Sequence, residues 1–298
     1  MNTCVRKAYA KINLGLDVLG ILPNGYHEVK MVMQTVDIWD ELTFERTASG
    51  ITIATNSEEL PTNGDNLIYK AAALMIDELG IKGGVNIDLR KNIPIAAGMA
   101  GGSADAAAAM RGICELYGLQ VEDKRLMELG VRIGADVPYC IMGGTALAEG
   151  IGERLTELPS PPDCWLVIAK PDINVSTKYV YERMDAVGAY THPDIDGMIT
   201  ALKEGSLGGI VQRLGNVLER VTVEEYPIVD YIKNQLRASG ALGALMSGSG
   251  PTVFGIFRER EQADTAALQI ERQSLARQVF VTKLVNGAGE SGGRRYAG

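Results

Sequence analysis

Apolar and polar residues alternate through the first stretch of the chain. Ala8, Ala10, Ile12, Leu14, Leu16 and Val18 interleave with Lys7, Tyr9, Lys11, Asn13, Gly15 and Asp17, the period of a half-buried strand. This predicts a strand over 3–22, closed by the turn signal Pro23-Asn24-Gly25. Residues 28–46 read as further strand, and a short strand follows at 51–55. Asp65-Asn66 then precede an apolar helical pattern over 67–79, and residues 85–89 alternate again. A glycine-rich stretch leads into an alanine-rich helix from about 104 to 117, and a helix over 122–133 ends at Gly134.

Pro159, Pro161 and Pro162 interrupt this order. Such a cluster fits neither a helix interior nor a central strand, so a boundary is expected near 155–163. That divides the chain into units of 1–158 and 159–285. The second half reads as a strand at 164–169 and helices at 176–187, 194–203, 207–220 and 225–239. Strands at 242–247 and 252–257 flank a glycine turn, and a helix at 260–273 leads to a last strand at 278–285. Strands first with helices packed on them is an α+β pattern. Residues 286–298 carry five glycines and no apolar period, the signature of a disordered tail.

Composition narrows the function classes. The chain has 298 residues, with 29 basic against 37 acidic, a net charge of −8. That balance argues against a general nucleic-acid grip. Cys4, Cys114, Cys140 and Cys164 are dispersed, with no C-x-x-C, which fits a reducing cytoplasm and neither a disulfide framework nor a zinc module. No run of about 18 apolar residues suggests a membrane span. With only His27 and His192, a multi-histidine metal site is excluded.

The strongest chemical signal is the stretch Pro94-Ile95-Ala96-Ala97-Gly98-Met99-Ala100-Gly101-Gly102-Ser103-Ala104, between a strand and a helix. Glycines and alanines leave the backbone N–H groups uncovered, so a phosphate can approach them. The loop feeds a helix N-terminus, where free N–H groups and the dipole favour an anion. Ser103 either caps that helix or offers its hydroxyl to a phosphate. There is no G-x-x-x-x-G-K-[ST], so this is not a Walker A loop. Gly287, Gly289 and Gly292 spell a G-x-G-x-x-G, but no helix follows it, and the dinucleotide reading requires one.

Other residues stay open on sequence alone. Asp136, before Val137-Pro138, is either a base in a short loop or the cap of a following helix. Lys11 is a solvated strand lysine or a functional cation. Ser247-Gly248-Ser249-Gly250 joins two strands as a hairpin turn.

Three stretches occur in order: Ala8-Tyr9-Ala10-Lys11-Ile12-Asn13-Leu14, the loop 94–104, and Met246-Ser247-Gly248-Ser249-Gly250-Pro251-Thr252-Val253-Phe254. This pattern resembles the GHMP small-molecule kinases, over residues from about 5 to 285. Gly25-Tyr26-His27-Glu28, Gly134-Ala135-Asp136-Val137-Pro138, and Gly143-Gly144-Thr145-Ala146 with Gly150-Ile151-Gly152-Glu153 point to one branch of that family. Its acceptor is a cytidine diphosphate-linked methylerythritol, phosphorylated at the 2-hydroxyl. The resemblance implies a two-domain fold: an N-terminal domain like the second domain of ribosomal protein S5, and a ferredoxin-like C-terminal domain, with ATP and acceptor in the cleft between them.

The same resemblance implies roles. Asp136 is the base and Lys11 its electrostatic partner. Asn13 bonds the acceptor diol. Tyr26 stacks on the cytosine and His27 bonds its edge, with Tyr181 covering the other face and Tyr179 as the competitor. Asn66 and Lys91 contact the adenosine of ATP, and the backbone around Ser247 and Gly248 meets acceptor phosphates. One departure stands out, because the place where many members carry a magnesium-binding serine is Gly101. Mg2+ is therefore expected to be held mainly by the nucleotide and water, and no protein metal ligand is assigned. Asp105 is a second-shell ligand or only a favourable helix charge. Two alternatives remain: another kinase of the family, of homoserine or mevalonate type, or a non-catalytic S5-like binding protein.

Overall fold

The protein, seen here in a computed structural model, is described for residues 2–188 and 191–286. The expected tail, from Gly287 on, and the Gly287/Gly289/Gly292 motif lie outside the described residues.

β1 (Thr3–Ile21) and β2 (His27–Thr47) form a long antiparallel hairpin. The far half of β2 pairs with β4 (Gly84–Arg90), and β3 (Ile51–Thr55) runs parallel to β4. The near half of β2 pairs with β5 (Thr145–Gly150), which pairs with β6 (Arg154–Glu157). On this sheet lie α1 (Leu67–Glu78), α2 (Gly101–Leu116) and α4 (Val137–Met142), with α3 (Asp123–Gly130) packed against α4 and α2. The alanines of α2 let it sit close: Ala104 and Ala106 to Ala109 are all buried. At Gly112 a Cβ would fall 2.5 Å from the Phe44 ring, so only glycine admits this approach.

In the second half, β7 (Trp165–Lys170), α9 (Ile228–Ala238), β9 (Gly243–Met246), β10 (Val253–Phe257), α10 (Arg260–Arg272) and β11 (Gln278–Lys283) form one unit. The sheet is antiparallel in the order β11-β7-β10-β9, with α9 and α10 packed on it. Strand, helix, two strands, helix, strand, in the spatial order fourth-first-third-second, is the ferredoxin-like arrangement. The fold is thus the α+β, two-domain arrangement expected from the sequence.

Three local expectations change. First, β1 is buried on both faces from Ala10 to Val18, Lys11, Asn13 and Asp17 included. The period promised one wet face, but the glycine-rich loop and the second half of the chain cover it. Second, the helix expected over 207–220 is broken into α7 (Leu207–Val211), the two-residue strand β8 (Gly215–Asn216) and α8 (Glu219–Glu225). β8 adds to the edge of β1 in parallel, Gly15 opposite Gly215, and so gains ladder bonds that helix would forgo. Third, β5 and β6 form where no regular element was expected, and α4 follows Asp136 as one of its two alternatives allowed.

α5 (Thr177–Val187) and α6 (Ile195–Lys203) complete the fold. The halves are also joined through β11, where Leu284 bridges to Val36 and Thr282 donates to the Asp37 carbonyl at 3.0 Å.

Candidate active site

A cleft of about 950 Å3 opens between the sheets. One wall is the glycine-rich loop running from β4 into α2. The helix starts at Gly101, three residues earlier than its alanine pattern suggested, because Ala100 takes the N-cap position with a left-handed backbone (φ 55°). No side chain caps α2, and Ser103 sits inside its first turn. The capping alternative for Ser103 therefore fails, and the N–H groups of that turn are left to whatever occupies the cleft. Gly98 explains the need for glycine. Its φ is +72°, and a Cβ there would lie 2.2 Å from the Ser247 carbonyl oxygen.

Lys11 and Asp136 meet midway along the cleft. The Lys11 ammonium is buried, donates to Asn13 Oδ1 at 2.8 Å and to the Gly98 carbonyl at 3.3 Å, and stands 3.8 Å from Asp136 Oδ2. It is not a solvated strand lysine. Asp136 occupies the N-cap position of α4 but makes no capping bond with its side chain. Its carboxylate faces Lys11 and the cleft instead, about a third exposed. Beside it, burial and then the Asp136 charge push the Cys140 thiol far above its ordinary range, so that thiol stays protonated.

The far end is aromatic. His27 starts β2 and packs against Tyr181 of α5, with ring centroids 4.5 Å apart. Its Nε2 lies 2.9 Å from Asp185 Oδ1. Tyr26, at the hairpin tip, is 60% exposed and faces the cleft. Between the two candidate tyrosines of α5, Tyr181 lines the cleft, while Tyr179 donates to Glu225 Oε2 at 3.1 Å and does not. Thr177, Tyr181 and Asp185 recur every fourth residue and share one helix face. That spacing was the available signal for Thr177 and Asp185, which the sequence reading missed.

The cleft brings together most of the residues singled out from sequence. Met99, Ala104 and Ser247 are the exceptions. Met99 and Ala104 face the core. Ser247 is fully buried, with its hydroxyl donating to the Gly98 carbonyl at 2.9 Å and accepting from the Asn13 N–H at 3.3 Å. It fastens the loop to β1, and its neighbours Gly248 and Ser249 face the cleft in its place.

Asn66 and Lys91 line the cleft but have other polar partners. Asn66 caps α1, accepting from the Ile68 N–H at 2.8 Å and donating to the Pro61 carbonyl at 2.6 Å. Lys91 is clasped by Asp40 Oδ2 at 2.5 Å and Asp105 Oδ2 at 2.7 Å. Burial works against the lysine charge, but the two carboxylates outweigh it and hold the ammonium above its usual range. For Asp105, burial dominates over Lys91, Asp40 adds repulsion, and its pKa rises to about 8. Asp105 is thus neither a free helix charge nor an open ligand.

Comparison with known proteins places the chain in a family. The description "GHMP kinases N terminal domain" matches residues 66–144, and "GHMP kinases C terminal" matches 198–276. A 4-diphosphocytidyl-2-C-methyl-D-erythritol kinase of Lachnospira eligens is 55% identical over 93% of this chain and 96% of its own. A crystal structure of 4-(cytidine 5'-diphospho)-2C-methyl-D-erythritol kinase superposes with a TM-score of 0.80 at 32% identity, covering 94% of this chain and 99% of that one. A homoserine kinase from Cytophaga hutchinsonii shares the fold, with a TM-score of 0.78 at 21% identity over 97% of this chain and 96% of its own. Two family domains matched in order, and a relative sharing more than half of its residues across nearly the whole length, make this chain a member of the GHMP kinase family.

Proposed function

We propose that this kinase transfers the γ-phosphoryl group of ATP to the 2-hydroxyl of 4-diphosphocytidyl-2-C-methyl-D-erythritol, giving the 2-phosphate and ADP. This is a step of the non-mevalonate route to isoprenoid precursors. The observation that carries the reading is the Lys11–Asp136 pair, 3.8 Å apart, set between a phosphate-sized backbone cradle and an aromatic end.

The ATP phosphates lie along the loop and the start of α2, met by backbone N–H groups. The acceptor hydroxyl lies against Asp136. As its oxygen bonds to the γ-phosphorus and the bond to ADP breaks, Asp136 takes the hydroxyl proton. Lys11, 3.8 Å from that carboxylate, offsets charge on the transferring group. Asn13, held by Lys11, turns its remaining polar capacity toward the diol. Tyr26 and Tyr181 provide faces for a cytosine ring, and His27, oriented by Asp185, provides a partner for its edge.

Magnesium travels with the nucleotide in this reading. Among the described residues, no group of three His, Cys, Asp or Glu side chains converges as a metal cage. Asp105 is committed to Lys91, and its other oxygen is buried. That donor set fits a cation held by phosphate oxygens and water, with Asp136 and Ser103 as the polar side chains facing that space. When bound, it neutralises charge on the β- and γ-phosphates. No described helix is long and apolar enough to cross a membrane. The four cysteines are free, which supports a reducing cytoplasm as the place of reaction.

The deciding experiment is ADP release with Mg-ATP and four acceptors: the cytidylyl compound, methylerythritol phosphate, mevalonate and homoserine. Turnover confined to the cytidylyl compound is expected. Turnover with another alcohol, and none with this one, overturns the acceptor while leaving the family in place.

A further inference from the structure

The loop that cradles phosphate is hung between two ends, and one buried cluster holds both. At the entry end, Asp40 of β2 accepts through Oδ1 from the N–H groups of Asn92 at 2.5 Å and Ile93 at 2.8 Å. Through Oδ2 it accepts from the Lys91 ammonium at 2.5 Å. At the exit end, the same ammonium donates to Asp105 Oδ2, in the second turn of α2, at 2.7 Å. Lys91 is the bridge. Two of its three N–H donors are taken by these carboxyl groups, and its ammonium lies buried between them.

Three features say that this cluster exists for position and not for stability. It sets one ammonium between two buried carboxyl groups, and Asp105 Oδ1 is buried without a partner. Buried ionic groups with unmet bonds are poor stabilisers next to apolar residues of the same shape. The first residue of α2 is also shaped around the ammonium, because a Cβ on Gly101 would lie 3.0 Å from Lys91 Nζ. Finally, the span that it crosses is the one whose backbone N–H groups must converge on a single anion, where a displacement of about 1 Å can cost on the order of 10²-fold.

We propose that Lys91, held by Asp40 and Asp105, is the positioning residue of the phosphate loop, setting the distance between the end of β4 and the first turns of α2. The role rests on the reading of this cleft as a kinase site and assigns Lys91 no contact with adenosine. It accounts for glycine at position 101, where a serine would crowd the ammonium.

The test is calorimetric titration of the folded protein with magnesium and a non-hydrolysable ATP analogue, alongside titration with the cytidylyl acceptor. Lys91→Met and Asp105→Ala are expected to weaken the nucleotide roughly tenfold or more, with acceptor affinity within about twofold of the parent. Asp105→Asn keeps an acceptor oxygen for Lys91 and is expected to recover most of what Asp105→Ala loses. Nucleotide affinity within about twofold of the parent in both loss variants overturns the proposal. So does an equal loss for nucleotide and acceptor, which marks a general folding defect. Should Lys91→Met fail to fold, the Asp105→Ala and Asp105→Asn pair decides alone. If the parent binds no cytidylyl acceptor, the acceptor reading fails, and the nucleotide titrations still judge Lys91.

Discussion

The two ends of the cleft are built on opposite principles. At the phosphate end, side chains are spent on one another: Ser247 fastens Gly98, Lys91 spans Asp40 and Asp105, and Asn66 caps α1. What faces the ligand there is mainly backbone. At the acceptor end the side chains themselves face the cleft, with Tyr26 mostly exposed and His27 and Tyr181 meeting across the β2–α5 gap. The difference matches the ligands proposed for the two ends. A phosphate is read by any convergent set of N–H groups, so the loop has only to be held still. A base is read by ring faces and edge atoms, which only side chains supply.

Substitutions can break this contrast or sharpen it. Asp136→Asn, where the two ends meet, carries the largest expected effect. It removes the proton acceptor and should lower kcat on the order of 10²- to 10⁴-fold with nucleotide affinity retained, as read by single-turnover kinetics and titration. Unchanged kcat would remove Asp136 from the chemistry. Gly98→Ala tests the phosphate end. Its Cβ would collide with the Ser247 carbonyl and strain a left-handed backbone, so a loss of about 1–3 kcal/mol in stability together with weaker ATP binding is expected in denaturant and titration curves.

Tyr26→Ala tests the acceptor end. Losing one stacking face, worth about 1–3 kcal/mol, should raise the acceptor KM by roughly ten- to a hundredfold and leave the ATP KM alone. Because Tyr26 is 60% exposed, the melting temperature should barely move. A drop like that of Gly98→Ala would erase the contrast.

The last effect concerns pH. The folded pKa of Asp105 is raised to about 8, by burial first and by Asp40, against the pull of Lys91. The folded state therefore holds a proton that the unfolded chain releases near pH 4. Its contribution is greatest at low pH, declines as pH rises, and levels off above about pH 8. Asp105→Asn removes that dependence, so it should gain stability over the parent as pH rises from 5 to 8. Parallel melting curves across that range would show that Asp105 is ionised throughout.

Much of this was legible in the chain. Alternation marked β1 and β2, the alanine run marked α2, and the glycine loop was recognisable as a phosphate cradle without any fold. What local pattern could not supply was the company each polar residue keeps. Period 2 put Lys11 on a polar face, but whether that face meets water depends on residues more than 200 positions away. Asn13 and Ser247 meet across 234 positions. The segment 207–220 has helical spacing and still yields a strand at Gly215–Asn216, because β1 offers an unpaired edge.

Backbone conformation and apolar period are local, decided by a residue and its near neighbours, and so the sequence alone determined the element order, the loop and the kinase family that they resemble. Hydrogen-bond partnership is not local. Ser103 became a helix residue and not its cap, Ser247 a buried fastener of the loop, and Lys91 a bridge between two carboxyl groups. Only the tertiary structure decided those roles, because a buried polar group must find its partner in whatever the fold brings beside it.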